Sequence, residues 1–389
     1  MKRVLAAAAA AASLAGALSA QAADPIKVGV ITPLSGTYAV LGQQVKWGLE
    51  LGTKEVNEAG GIMGRQVELI FEDSEINPAV ATAKAERLIQ VEKVAILTGT
   101  VSSGVTLAVG QVAERNDTLL VTTVSFSTAI TGAQCSPNVF RINANAAMQS
   151  NALAAWLKAE KPDSKVFYLA PDYEMGRNTV EEFKKVAEPA GMATVGEVYA
   201  PLNTTDYSQY FGQVRADRPT VLYTSTGGND SVRLLTQLQE YGLRDRFLAI
   251  GAASAVTPAT LGAIGAAAEG FVTGVGYSPT ISTEANQAFV KKFEAAYKTM
   301  PDLYGADSYG FMSMYKKAVE KAGSTDTAAV RKAMEGISWD TVQGTKTLRA
   351  GDHQAMMDMY AVAVKDGKFV VIDTIAGDKA IGPDTCERF

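Results

Sequence analysis

Histidine and cysteine are scarce in this sequence of 389 residues, which contains one histidine, His353, and two cysteines, Cys135 and Cys386. A structural zinc site takes about four Cys or His ligands, so the composition argues against one. A Ser-His-Asp triad would have to use His353, and the sequence has no Gly-x-Ser-x-Gly turn to present the serine. We therefore expect no metal, no cofactor and no catalytic site, and the protein is predicted not to be an enzyme.

Positive charge is also in short supply, since 36 Lys and Arg residues against 41 Asp and Glu residues give a net charge of −5. Nucleic-acid binding needs a basic surface, so no nucleic acid is expected among the partners. Beyond the N-terminus, no run approaches the roughly 18 consecutive apolar residues of a spanning helix. With 47% hydrophobic and 20% charged residues, the composition is that of a globular chain.

Residues 1–23 have the pattern of a secretory signal peptide. Lys2 and Arg3 precede an apolar run from Val4 to Leu18, and Ala20-Gln21-Ala22 then supplies the small-x-small pattern that signal peptidase needs. The alternative is a retained N-terminal helix. Cleavage would leave about 366 residues, a length that suggests two domains, and would place the protein outside the cytoplasm.

The two cysteines can be interpreted in the light of that export. In an oxidising compartment a pair of cysteines is more often bonded than free, which favours a disulfide between Cys135 and Cys386. Two buried thiols are the alternative. A bond would pin the C-terminal tail to the loop that contains Cys135.

Strand and helix patterns alternate along most of the chain. Residues 27–124 predict four β–α units, and a similar block follows a long loop and covers residues 140–251. Residues 284–336 predict three helices and residues 357–372 a hairpin, which together are too few for a third sheet. The C-terminal third must then be shared between two parallel-sheet blocks, and this sharing creates a hinge. Ligands of open α/β sheets bind beyond the carboxyl ends of the strands, so the cleft between the blocks is the expected site.

Six segments carry a family resemblance over essentially the whole mature chain. They are Ile26–Glu55 (IKVGVITPLSGTYAVLGQQVKWGLELGTKE), Asn57–Arg65 (NEAGGIMGR), Gly99–Gly104 (GTVSSG), Val139–Arg141, Asp172–Gly176 and Asp307–Gly310. In this order they resemble the leucine/isoleucine/valine-binding family of periplasmic proteins. The resemblance is specific to the family and not to one ligand.

The resemblance implies a type I periplasmic-binding fold, in which two doubly wound α/β lobes are joined by three hinge crossovers. Lobe I would comprise residues 24–141 and 275–350, and lobe II residues 142–274 and 351–389. It also implies a periplasmic, monomeric receptor that passes a small carboxylate to the membrane permease of an ABC importer. Two other functions stay open, a sensing module for a chemoreceptor or sensor kinase and an extracytoplasmic hydrolase.

In such proteins, serine or threonine hydroxyls and backbone N–H groups of the first lobe hold the ligand's carboxylate. The matching loops make Ser103 and Ser127 the principal candidates, with Ser102 and Ser125 behind them. A hydroxyl donor beside a helix N-terminus stabilises an anion without a buried arginine. The alternative is that these serines only cap helices or satisfy turns.

The second lobe of the family's amino-acid binders places an acid against the ligand's ammonium. The matching stretch here, Gly251–Ala255 with Ala253 at its centre, contains no acid. An ammonium without a counter-charge would be costly in a closed cleft, which counts against an α-amino acid. Asp172, Asp230 or Asp307 could still supply that charge from another loop.

Four tyrosines, Tyr38, Tyr173, Tyr304 and Tyr309, are predicted to line the rest of the cleft, whereas Trp47 is expected to pack inside lobe I. Tyrosine offers an apolar face and a hydroxyl, which suits an aromatic ring with oxygen substituents. Together with the missing acid, the tyrosines favour an aromatic acid or a 2-keto acid over a branched-chain amino acid.

Overall fold

The computed structural model describes residues 24–389, and the predicted signal peptide lies outside this range. Its strands are β1 (Ile26–Thr32), β2 (Val67–Asp73), β3 (Ile96–Thr98), β4 (Leu119–Thr122), β5 (Val139–Arg141), β6 (Lys165–Pro171), β7 (Ala193–Ala200), β8 (Val221–Thr224), β9 (Leu248–Gly251), β10 (Val272–Val275), β11 (Ser338–Thr341), β12 (Gly344–Leu348), β13 (Ala355–Met356), β14 (Met359–Lys365) and β15 (Lys368–Ile375). Its helices are α1 (Ala39–Glu58), α2 (Pro78–Gln90), α3 (Ser103–Arg115), α4 (Ala146–Glu160), α5 (Glu174–Ala187), α6 (Ser208–Asp217), α7 (Gly228–Glu240), α8 (Pro258–Ile264), α9 (Glu284–Tyr297), α10 (Leu303–Ala322), α11 (Thr327–Met334) and α12 (Gly377–Ala380). None of these helices is long and apolar enough to cross a membrane.

The first large sheet is parallel throughout and has the strand order β2-β1-β3-β4-β5. Its central strands are apolar on both faces, and the adjacent residues Val30 and Ile31 of β1, which point to opposite faces, are both fully buried. This double burial is typical of a parallel sheet covered by helices on both sides. The predicted β–α units of residues 27–124 are therefore confirmed.

The second large sheet has the order β15-β14-β10-β9-β8-β6-β7. Strands β6 to β10 are parallel, and the hairpin β14–β15 adds two antiparallel strands at one edge. Asp366 and Gly367 at the hairpin turn both have positive φ, 51° and 67°, as a tight two-residue turn requires. The C-terminal hairpin thus completes a sheet that begins more than 190 residues earlier in the chain.

Helices α9 to α11 and a small sheet, β11-β12-β13, return the chain to the first large sheet. Helix α10 crosses α1 closely at Gly48, where an added Cβ would lie 2.2 Å from the carbonyl oxygen of Gly305. Only glycine permits this contact. The chain passes between the two large sheets three times, after β5, after β10 and before β14, so the expected two-lobe fold with three crossovers is confirmed.

Several strands and helices were not predicted from the sequence. Strand β10 has four residues, one of them a glycine, and the small sheet and helices α6 and α8 are also short. Short segments carry too few periods of a hydrophobic pattern to be recognised. They lie between the longer strands and helices, whose order along the chain was predicted.

Cys135 and Cys386 are joined in a disulfide with a Cα–Cα distance of 5.8 Å. Arg388 reinforces the attachment, since it donates a hydrogen bond to the Cys135 carbonyl oxygen (2.8 Å) and pairs with Glu114 (2.8 Å). The tail is thereby fixed beside the loop that leads into β5.

We predict that reducing this disulfide lowers the free energy of unfolding by about 2–4 kcal/mol, because the bond restricts the unfolded chain. Urea unfolding of the mature protein with and without reductant measures the difference. The double variant Cys135→Ser/Cys386→Ser is the control and should match the reduced wild type. Equal stability of the oxidised and reduced protein would contradict the prediction.

His353 is a buried, uncharged part of the same region. Its ring stacks on Phe140 at a centroid distance of 3.8 Å and lies 4.4 Å from Phe389, and Nδ1 lies 3.2 Å from the Val139 carbonyl oxygen. Burial lowers the pKa of His353 to about 4. The position is structural and belongs to no catalytic arrangement.

The lowered pKa makes stability depend on pH. An unfolded histidine binds a proton near pH 6.5, whereas native His353 stays neutral down to about pH 4, so its contribution is complete above pH 6.5 and is lost as the pH falls towards 4. We predict that the wild type loses about 3 kcal/mol relative to His353→Phe across this window. Urea unfolding of both proteins at pH 7, 5.5 and 4.5 tests this, and parallel curves would contradict it.

Candidate functional site

The carboxyl ends of six strands face one another between the two large sheets. From the first sheet come the segments that follow β1, β3 and β4, and from the second those that follow β6, β8 and β9. These segments contain most of the residues expected at the site. Their convergence is the arrangement in which α/β sheets bind ligands.

Tyr38, Tyr173 and Tyr304 line one small cavity at this junction, together with Phe126, Met175 and Ser254. The Tyr38 and Tyr173 hydroxyls are 3.1 Å apart, and the rings of Phe126 and Tyr304 stack at 6.3 Å. The cavity measures about 10 Å³, so the cleft is shut in this structure. Three of the four predicted tyrosines are therefore brought together.

Burial raises the pKa of Tyr38, Tyr173 and Tyr304 above the usual tyrosine value. Each hydroxyl consequently stays neutral and can both donate and accept a hydrogen bond. The cavity thus combines aromatic faces with neutral hydroxyl groups.

The cleft is held shut on one side by contacts between the segment after β1 and the start of α7. Asn229 N–H donates to the Thr37 carbonyl oxygen (3.1 Å), and the Thr37 hydroxyl lies 3.5 Å from Asp230. At Gly228, with φ +53°, an added Cβ would lie 2.3 Å from that same carbonyl oxygen. This glycine allows the backbones of the two sides to touch.

On the other side, α5 binds the segment after β4 with one polar face. Glu174, Asn178 and Glu182 follow one another at intervals of four residues and so lie on the same side of the helix. The Ser127 hydroxyl donates to Glu174 (2.7 Å), and the Thr128 hydroxyl donates to Glu182 (3.1 Å). Asn178 accepts from Thr128 N–H and donates to the Thr128 hydroxyl, both at 2.9 Å. We call this set of contacts the α5 clasp.

The four predicted serines differ in what their hydroxyls do. Ser103 is the first residue of α3, and its Oγ accepts a hydrogen bond from Ser127 N–H (3.2 Å). Ser102 is the N-cap residue of α3 but makes no side-chain capping bond. The N-terminus of α3 thus has no side-chain cap, and Val101, just before it, lines the tyrosine cavity; uncapped helix N-termini of this kind form many anion sites.

Ser125 and Ser127 are engaged elsewhere. The Ser125 hydroxyl lies among the carbonyl oxygens of Thr100 and Val101, both at 3.0 Å, and the hydroxyl of Thr106. Ser127 accepts from Ala129 N–H in addition to its bond with Glu174. In the closed conformation both hydroxyls therefore have hydrogen-bond partners within the protein.

Other predicted residues lie outside the tyrosine-lined cavity. Tyr309 donates a hydrogen bond to Glu55 (2.6 Å) and packs on Phe289, away from the cleft. Ala253 borders a neighbouring small cavity and donates its N–H to Gln149 (3.0 Å). Trp47 stacks on Tyr297 inside the first lobe, as expected.

The three acids that could have faced an ammonium group are all paired with cations of the chain. Asp172 pairs with Arg177 and Asp230 with Arg233, both at 2.7 Å, and buried Asp307 pairs with Lys346. Burial raises the pKa of Asp230 and Asp307. None of the three is free to neutralise a ligand cation.

Sequence reasoning missed four residues of the junction: Phe126, Ser254, Glu174 and Met175. Glu174 and Met175 lie inside the segment Asp172–Gly176 that carried the family resemblance, and Phe126 stands between two predicted serines. The only sign in the sequence that these residues belong to the site is their position next to residues that were predicted there.

Larger grooves exist on the surface but are not built from strand ends. One of about 610 Å³ runs between α5, Arg349 and the C-terminal tail, and another of about 460 Å³ lies between α1, α9 and α10. Within residues 24–389, no group of three His, Cys, Asp or Glu side chains is placed to hold a metal ion.

Comparison with known proteins shows the family to which this architecture belongs. Residues 25–368 match the family model of the periplasmic binding proteins. The chain is 25% identical to Leu/Ile/Val-binding protein homolog 4 of Brucella abortus (strain 2308), over 96% of this chain and 94% of that protein.

Two solved structures share the fold. An ABC transporter solute-binding protein of Rhodopseudomonas palustris, solved in complex with benzoate, superposes with a TM-score of 0.85 and 28% identity, covering 93% of this chain and 99% of that one. A leucine-binding protein of Thermotoga maritima gives a TM-score of 0.82 at 22% identity, covering 91% and 99%.

The hydrogen bonds of the serines separate their roles. For the carboxylate expected from the sequence, we predict that Ser103→Ala weakens binding about tenfold or more, because a hydroxyl bond to a charged group is worth about 1.5–3 kcal/mol. Ser127→Ala should weaken it less, since that hydroxyl already donates to Glu174.

Calorimetry on both variants, with Ser102→Ala as the matched control, measures these effects. Ser102→Ala should leave the apo melting temperature nearly unchanged, because its hydroxyl makes no capping bond, and a loss of affinity in this variant would show that the Ser102 hydroxyl contacts the ligand. A larger loss for Ser127→Ala than for Ser103→Ala would contradict the prediction and show that the ligand displaces Glu174.

Proposed function

The chain belongs to the periplasmic binding protein family, and we propose that it is the substrate-binding receptor of an ABC importer. In this proposal a small carboxylate is captured between lobe I, residues 24–141 and 275–350, and lobe II, residues 142–274 and 351–389. The closed receptor then docks as a monomer on a membrane permease. The signal-peptide pattern of residues 1–23 supports delivery to the periplasm.

One observation carries the proposal: three tyrosines, two of them buried and Tyr173 partly buried, line a cavity beside the N-terminus of α3. Tyr38, Tyr173 and Tyr304 provide flat apolar faces for a ring or a branched chain. Val101, which also lines the cavity, immediately precedes Ser102 and the first turn of α3. A carboxylate at that helix end and an apolar body among the tyrosines would fill the site.

We further propose that the ligand lacks an α-amino group and is an aromatic acid or a 2-keto acid. Asp172, Asp230 and Asp307 are each paired with a cation of the chain, so an ammonium group would have to compete with that cation for each of them. The benzoate complex of the 28%-identical Rhodopseudomonas relative supports an aromatic acid.

Glu174 favours a second candidate, a branched-chain amino acid. Its carboxylate comes from α5, accepts the Ser127 hydroxyl bond and, in the structure of residues 24–389, forms no ion pair. An acid of the second lobe at this place could face a ligand ammonium. The names of the Brucella relatives, Leu/Ile/Val-binding protein homologs, agree with this alternative.

A ligand screen on refolded, ligand-stripped protein tests the proposal. We predict that 4-methyl-2-oxopentanoate binds more tightly than leucine, which differs from it by an amino group in place of the keto oxygen, and that benzoate also binds. The expected ratio is tenfold or more, because an unpaired ammonium costs several kcal/mol in a closed cleft. Isothermal titration calorimetry measures each affinity.

Glu174→Gln is the matched variant, since it keeps the shape of the side chain and removes its charge. For a keto or aromatic acid, the variant should bind equally well or more tightly. Leucine that binds best to the wild type and loses at least tenfold in Glu174→Gln would establish the amino-acid alternative. A wild type that binds none of these acids would overturn the proposed function.

A further inference from the structure

Arg141, the last residue of β5, has a guanidinium group that is completely buried behind the cleft. It donates to the carbonyl oxygens of Ser125 (3.4 Å) and Ser127, to the Thr131 hydroxyl, and to Gln354 Oε1 (2.6 Å). Three of these partners, Ser125, Ser127 and Thr131, belong to the segment between β4 and β5, and part of that segment borders the site. A buried arginine at this place was not expected, because a hydroxyl donor beside a helix N-terminus can stabilise an anion without one.

The positive charge of Arg141 has no carboxylate in contact with it within residues 24–389. Asp352 is the acid that acts on it at longer range, and Asp352 is already held by Arg349 (2.9 Å). Burial lowers the pKa of Arg141 to about 9, which still leaves the group charged at neutral pH. A buried cation without a contacting anion is costly to a protein and calls for a reason.

The hydrogen bonds of Arg141 show which part of the backbone its charge polarises. Its guanidinium binds the carbonyl side of the peptide that joins Ser125 to Phe126. In a trans peptide the N–H points opposite to the carbonyl, so the Phe126 N–H is directed away from Arg141. Phe126 itself lines the tyrosine cavity. The guanidinium therefore polarises a backbone segment whose other side borders the cavity.

Glu174 has the opposite effect to Arg141 on an anion in the cleft. It is negatively charged, and from the second lobe its carboxylate accepts the hydrogen bond of the Ser127 hydroxyl. The two charges are not equivalent. Glu174 is only half-buried, so solvent screens its field, whereas Arg141 is fully buried and is screened little. Arg141 therefore contributes an attraction for an anion in the cleft that solvent weakens little.

We propose that Arg141 determines the charge selectivity of the cleft: without touching the ligand, it favours a carboxylate over a neutral isostere through the backbone of residues 125–127. The inference rests on the proposed function, in that it requires a carboxylate ligand. It makes Arg141 a positioning and specificity residue in addition to a structural one.

Paired ligands separate charge selectivity from a structural role. Benzoate and benzamide have nearly the same shape and differ in charge; 4-methyl-2-oxopentanoate and its amide replace them where the wild type binds only the keto acid. In Arg141→Met, affinity for the acid should fall about tenfold or more, while affinity for the amide changes less than threefold. Arg141→Lys keeps the charge and should restore most of the selectivity. Calorimetry for the acid and competition for the amide give the ratio.

Asp352→Asn keeps the test decisive where Arg141→Met does not fold. Removing this charge leaves Arg141 less neutralised, so affinity for the acid should rise about threefold while that for the amide stays constant. If the affinities for acid and amide change by the same factor in every variant that folds, the inference about Arg141 is wrong and the proposed function is unaffected. A wild type that binds no carboxylate would overturn the proposed function, and with it this inference.

Discussion

The hydrogen bond between Arg141 and Gln354 joins the parts of the chain on which the cleft depends. Arg141 leads into the first crossover between the sheets, and Gln354 lies just before the third. Gln354 also donates to the Asn143 carbonyl oxygen (2.9 Å), and Asn143 donates to that of Ser125 (3.2 Å). The segment after β4 is thus fixed to two crossovers at once. Movement of one lobe about the hinge must carry this segment with the first lobe.

Closure, by contrast, depends on contacts that are individually weak. The bonds of the α5 clasp and those at Thr37 are polar, and such bonds contribute about 0.5–1.5 kcal/mol each after their exchange with water. A handful of them makes an open and a closed form similar in energy. A ligand that touches both lobes can then shift the balance, because only its difference in affinity for the two forms matters.

The order of strands and helices could be predicted because buried parallel strands are nearly continuous apolar runs separated by amphipathic helices. The site could be predicted only in part. Ser127 was expected to bind the ligand, but its partner Glu174 lies 47 residues away, and no local pattern records such a contact. Tyr309 could have been excluded from the sequence. It lies five residues after Tyr304 on α10, so the two side chains point about 140° apart on the helix and cannot share a cavity.

The fold leaves the choice of ligand to a few side chains. A benzoate complex and a leucine-binding protein both superpose on this chain with TM-scores above 0.8, so the backbone alone does not distinguish a flat ring from a branched amino acid. What differs is the set of groups at the strand ends. Here neutral tyrosine hydroxyls line the inside, the buried guanidinium of Arg141 stands behind the backbone, and Glu174 lies towards the rim. Under the proposed function, a ligand with a single negative charge and an apolar body leaves the hydrogen bond between Ser127 and Glu174 in place, whereas a zwitterion would engage Glu174 and break that bond.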